Sequence, residues 1–216
     1  MDNFNINQIH PRIFYAKFND VETMLLSTFR VNDAKLEHKN EYENYPQYIK
    51  KYMEKFTISG YCIYGKDFRL FMRKFKHKAM TTEELEFTHK LLLSMGQSGI
   101  NMSSKFTVIV CFNNENSIVF NHEMAHCMFY VDYKYRMKVI RLFKKIKPDV
   151  REKMFNDLTA NEYRFKSAED SDFVDEVNSR LSTEKLLKKG FSKHIRMTKK
   201  EVNKFKKLYQ DNLKKQ

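Results

Sequence analysis

Only five glycines and three prolines punctuate these 216 residues. A chain so short of turn-forming residues is poorly suited to a β-sandwich or barrel, which turns often and uses both residue types to do so. Helix is the favoured element. The 19 Phe and 12 Tyr rule out disorder over the whole length, because that much aromatic surface is costly to leave in water. The length suits one medium domain. No internal repeat or low-complexity linker marks a boundary. The sequence therefore predicts one domain over 1–216, with a basic helical extension at 191–216 packed on it or trailing from it.

Cys62, Cys111 and Cys127 are an odd number without CxxC spacing, which argues against a disulfide framework and for a reducing compartment. No run approaches 18 apolar residues, so no transmembrane segment is expected. The first residues, MDNFNINQIHPRIFY, lack a basic stretch followed by an apolar one, so they do not read as a secretory signal. A cytoplasmic protein is the expectation, with signal-independent secretion left open.

Charge is uneven. The net charge is +13. Residues 182–216 hold 12 Lys or Arg against Glu184, Glu201 and Asp211, while 149–181 hold five basic and nine acidic residues. A charged helix face is often only a solvated one. A concentrated basic segment can also meet a polyanion or an acidic surface.

Hydrophobic spacing predicts helices over Val21–Phe29, Tyr45–Phe56 and Phe68–Phe75, and a short β-like piece at Tyr61–Tyr64. Thr81 and Glu84 have capping-box spacing ahead of a helix that reaches Gly96. Phe106–Phe112 (FTVIVCF) is the best strand in the chain, being short, β-branched and aromatic. A helix to about Val131 follows it. Further helices are predicted at 133–147, 149–158, 160–170 and 172–189, and another begins after Thr198. No Gly-rich phosphate loop exists, which disfavours nucleotide hydrolysis and dinucleotide redox chemistry.

Inside the helix after the strand lies Asn121-His122-Glu123-Met124-Ala125-His126, an HExxH motif. Residues i and i+4 lie one turn apart, so two imidazoles point the same way and can share a metal. The Glu beside the first His faces the same space, where it can take a proton from water and return it to a leaving group. Random order of this composition gives the pattern roughly 0.02 times in such a chain.

Here the sequence resembles the zincin metallopeptidases, through HExxH from His122 to His126 and the strand–helix arrangement over roughly 106–131. The resemblance implies an α+β, mainly helical, zincin-like fold: a small β-sheet, an active-site HExxH helix and a following Glu-bearing helix. It implies Zn2+ held by His122 and His126, with Glu123 as general base and then acid. The residues after His126 lack the Gly and His of the metzincin continuation. A gluzincin-like third ligand from a later helix is implied instead. Glu162, within Asn161-Glu162, is the choice, with Glu169 and Asp157 as rivals. The sequence departs from the best-known gluzincins in its longer spacing and in having Lys166 where they place an Asp. His194 and Tyr163 are candidates for stabilising the oxyanion, and His194 could instead be a third ligand. In zincins an edge strand aligns an extended substrate. Phe106, Val108 and Val110 would line the matching strand here. Small, poorly characterised bacterial-type HExxH proteins share the loose pattern Phe129-Tyr130, Asp132–Arg136 and Asn161–Tyr163.

Two functions follow. One is a zinc-dependent hydrolase, best read as a metallopeptidase acting on a protein or peptide. The other is a basic nucleic-acid- or membrane-surface-binding protein in which HExxH is structural or incidental. Cys127 follows His126 directly, but on a helix it points about 100° away, so it reads as buried packing.

Overall fold

The computed structural model describes residues 3–32, 45–55, 59–75, 80–112, 118–160, 165–183 and 197–214. The fold is α+β and mainly helical, with one small mixed sheet. Two compact units divide the chain, Met1–Phe120 and Asn121–Gln216. The division falls inside the helix that carries HExxH, where the sequence has no linker.

The first unit contains β1 (Phe4–His10), β2 (Ile13–Phe18), α1 (Val21–Asn32), α2 (Tyr45–Lys55), β3 (Gly60–Tyr64), α3 (Gly65–Lys74), α4 (Thr82–Gln97) and β4 (Thr107–Phe112). The strand order is β1-β2-β4-β3. β1 and β2 form an antiparallel hairpin, β2 runs parallel to β4, and β3 is antiparallel to β4. β4 is buried along nearly its whole length, as a continuous apolar run in a central strand should be. Gly60 permits the close approach of β3. A Cβ there would meet Cys111 Sγ and Val110 O at 2.6 Å.

Phenylalanines dominate the core of this unit, among them Phe4, Phe14, Phe18, Phe68, Phe71 and Phe87. Helix α4 starts with the predicted capping box: Glu84 N–H donates to Thr81 Oγ1 and Thr81 N–H donates to Glu84 Oε2. Glu84 is buried and forms an ion pair with Arg30. The Arg30 guanidinium also lies 4.6 Å from the ring centres of Tyr45 and Phe75.

Helix α5 (Ile118–Val131) leads into the second unit, which continues with α6 (Tyr133–Lys144), α7 (Pro148–Ala160), α8 (Ser171–Thr183) and α9 (Lys199–Leu213). α9 packs on α8 and α6, and α6 packs on α8. The Phe173 ring of α8 meets Phe143 of α6, Phe155 of α7 and Phe165 edge-on. The basic C-terminal segment is therefore no trailing tail over its described part. Val202, Phe205 and Tyr209 are buried, and Thr198 with Glu201 forms a second capping box.

The helix predicted over 160–170 is not found in its described part. Residues 165–170 form turns. Asp170 explains this, because its carboxylate accepts from the N–H groups of Lys166 and Asp172. An Asp that binds nearby backbone donors favours a turn ahead of the next helix over continuation.

Candidate metal centre

Helix α5 carries His122 and His126 one turn apart. Their Nε2 atoms lie 3.1 Å from each other. Glu176, on α8, brings its Oε2 to 3.3 Å from His126 Nε2 and 3.9 Å from His122 Nε2. All three donors fall within 4.8 Å of one another, so the group could hold a metal ion. Tetrahedral ligands ~2.0–2.1 Å from a metal stand about 3.3 Å apart. The two shorter separations sit near that edge length and the third is somewhat wider.

Residues behind the donors fix them. Arg180 lies one turn after Glu176, and its Nε donates to Glu176 Oε1 at 2.6 Å. One carboxylate oxygen is thereby committed to Arg180, which leaves Oε2 for the imidazoles. Asp175 Oδ2 lies 3.0 Å from His126 Nδ1, the ring nitrogen that faces away from the cluster. The pair is close without hydrogen-bond alignment, and neither His126 Nδ1 nor Asp175 Oδ1 has a hydrogen-bond partner. A carboxylate behind a ligating imidazole sets its tautomer and raises its basicity. At the start of the motif, the Tyr209 hydroxyl of α9 donates to Asn121 Oδ1 at 3.1 Å and to Asn121 O at 3.3 Å.

Electrostatics divide the two histidines. Burial, and then the charge on His126, push the His122 pKa down to about 4. That ring is neutral at physiological pH. Burial works against charge on His126 too, but Asp175 and Glu176 outweigh it and raise its pKa well above the ordinary value, with Glu123 adding to the effect. Burial raises Asp175 against the pull of His126. For Glu176 burial is overcome by His126 and Arg180, and its pKa falls to about 2. The metal-free cluster thus holds one neutral imidazole, one imidazolium and one carboxylate.

Of the residues predicted for the site, His122, Glu123 and His126 lie together. Glu123 is half-buried. Glu162, Tyr163 and His194 lie outside the described residues. The other carboxylates weighed do not join the cluster: Asp157 sits on α7, and Glu169 is paired with Arg151. The substrate-aligning strand needs correction. Phe106 precedes β4, while Val108 pairs with Phe14 and Ile63, and Val110 with Ala16 and Tyr61. β4 is flanked on both sides, so it offers no free edge for an added strand.

Glu176 was missed by the sequence reading. Its signal was an acidic pair, Asp175-Glu176, between buried Val174 and Val177, with Arg180 one turn on. Carboxylates within an apolar stripe are seldom left to solvent. Cys127 is buried, as its position on the helix requires.

Comparison with known proteins finds no matching family model, no matching curated protein and no matching solved structure.

Proposed function

We propose that the protein is a zinc-dependent hydrolase of the zincin type, acting as a metallopeptidase. His122, His126 and Glu176 are the metal ligands and Glu123 is the general base and then acid. One observation carries this reading: the convergence of two Nε2 atoms and one carboxylate oxygen beside the Glu of an HExxH helix. On this reading the fold is zincin-like, with α5 as the active-site helix and α8 as the later helix that supplies the third ligand.

Zinc in this site supplies a Lewis acid that polarises a carbonyl and lowers the pKa of water. The chain's own residues do the rest. Glu123 accepts a proton from the attacking water as the water oxygen bonds to the amide carbon. It then gives that proton to the departing nitrogen as the C–N bond breaks, leaving an acid and an amine. The Asp175 carboxylate, 3.0 Å from His126 Nδ1, attracts a proton to that nitrogen, which leaves Nε2 free to ligate. Arg180 balances the charge of Glu176 and fixes its orientation. His194 and Tyr163 stay the candidates for an oxyanion donor.

Elemental mass spectrometry on untagged protein is the first test, beside His122→Ala and Glu176→Gln. Stoichiometric zinc in the parent and its loss in both variants is the expected result. Glu123→Gln should keep the zinc and lose cleavage of a mixed peptide library. A parent that takes up no zinc on incubation, or a Glu123→Gln variant that cleaves as fast as the parent, ends this reading.

A further inference from the structure

Residues 121–216 hold 24 Lys and Arg against 14 Asp and Glu, a net +10 of the chain's +13. Nine of those acidic residues fall in 149–181, one of them, Glu176, in the metal cluster. The basic residues gather elsewhere, on α6 and α9, which pack against each other. α6 and the three residues after it contain no acidic side chain.

Spacing turns these charges into stripes. Lys134, Lys138, Arg141 and Lys145 are all exposed and recur at i, i+4, i+7 and i+11, a line about 16 Å long. Lys200, Lys204 and Lys207 of α9 are exposed and repeat the first three positions of that spacing. None of these seven takes part in an ion pair among the described residues. The two helices meet at a groove whose lining includes Lys145 and Lys204 with Ile146 and Phe205. Glu201, the acidic residue in that groove, is already committed to capping Thr198.

An aromatic ring accompanies the charge. Tyr133, at the start of α6, is 64% exposed, and the Arg136 guanidinium lies 5.6 Å from its ring centre. The apolar stripe of α9 (Val202, Phe205, Tyr209) is turned inward. That helix has no apolar face left to sink into a bilayer, which is what an interfacial amphipathic helix needs. Lysine lines with an exposed aromatic fit a strand of phosphates with bases free to stack.

We propose that the α6–α9 face binds single-stranded nucleic acid. The stripes neutralise backbone phosphates, and Tyr133 with Arg136 offers a platform for a base. This surface is independent of the metal reading and stands if that reading falls. Because α9 is buried along one side, deleting it would damage the fold, and charge reversal is the sound test.

Fluorescence anisotropy of the full chain with a labelled oligothymidylate of about 20 nucleotides, longer than a typical single site, measures the binding. The slope of log K against log[salt] should be about −3 to −5, at about 0.7 per phosphate neutralised. Lys138→Glu/Arg141→Glu/Lys204→Glu/Lys207→Glu, with a circular dichroism spectrum like the parent's, should weaken binding about tenfold or more and flatten the slope. Tyr133→Ala should weaken it about fivefold or more with the slope unchanged. Any of the following outcomes overturns the proposal. One is no binding at low salt. Another is tighter binding to duplex, or indifference to Tyr133→Ala. A third is an equal loss in a control that reverses Lys17, Lys50, Lys51 and Arg73 of the first unit. The last is binding to phosphatidylserine vesicles in place of the oligonucleotide.

Discussion

The two units bury polar groups in opposite ways. In the first, the buried charges Arg30 and Glu84 answer each other. Glu84 also completes a capping box, and Arg30 is sandwiched by Tyr45 and Phe75. The buried side-chain atoms of Ser27, Thr88 and Thr107 that lack partners are hydroxyls. In the second unit the atoms without hydrogen-bond partners include His126 Nδ1, Asp175 Oδ1, Asn178 Nδ2 and Ser179 Oγ. Three of these lie on one stretch of α8, and the fourth is on the histidine that this stretch faces. Buried polar groups in native proteins are normally satisfied, and local exceptions tend to gather where function, not stability, sets the residues. The first unit's pair is a closed structural device. The second unit leaves polar atoms unpaired around His126 and α8, beside the separate group of His122, His126 and Glu176 that could hold an ion.

The contrast can be broken or sharpened by measurement. The largest effect should come from Arg30→Met, which leaves Glu84 buried without its partner. About 3–5 kcal/mol of stability should be lost in urea denaturation. Glu176→Gln should cost less stability, because it keeps the shape and an amide oxygen that can still accept from Arg180, while metal uptake collapses. Equal destabilisation by the two variants would erase the distinction between the units.

Asp175→Asn comes next. It keeps the shape and removes the charge behind His126, so metal affinity should fall about 10–100-fold in a competition titration against a chelator. No change would leave Asp175 without a positioning role.

Acidity gives a further effect. The ordinary His pKa is 6.5 and that of His126 is raised above it, so near neutral pH this ring carries a proton that a metal must displace. Binding should release that proton, and affinity should fall up to about tenfold per pH unit as pH drops below the His126 pKa. His122, held down at about 4, adds to this only in more acidic solution. Calorimetry in buffers of different ionisation enthalpy counts the released proton, and a count of zero at pH 7 would contradict the assigned states. The smallest effect belongs to Tyr209→Phe. Losing the hydroxyl that donates to Asn121 should lower thermal stability by about 1 kcal/mol.

Much of the local structure could be read from the chain. The capping residues Thr81 and Thr198, the strand at 107–112 and the HExxH helix rest on short-range spacing, and each stands where that spacing puts it. The β1–β2 hairpin gave no such sign. Its turn is Pro11-Arg12, and Arg12 takes φ +70° without the Gly or Asn that normally marks a left-handed turn position. Because β2 lies beside β4, the strand expected to offer an edge is enclosed. The helix expected across 160–170 is absent from the described residues 165–170, where Asp170 binds its neighbours' backbone.

The candidate site shows the same boundary between local and distant information. That His122 and His126 share one side of a helix, with Glu123 beside them, follows from 3.6 residues per turn and needs no tertiary contact. Which carboxylate meets them does not. Several acidic residues lie on later helices, and the selection of Glu176 depends on how α8 is rotated and docked. That rotation is set by Phe173 packing against α6 and α7, and Arg180, on the same helix as Glu176, then holds Oε1 and leaves Oε2 for the imidazoles. A helix's period is a property of its backbone, whereas its partner and facing side are properties of the whole core.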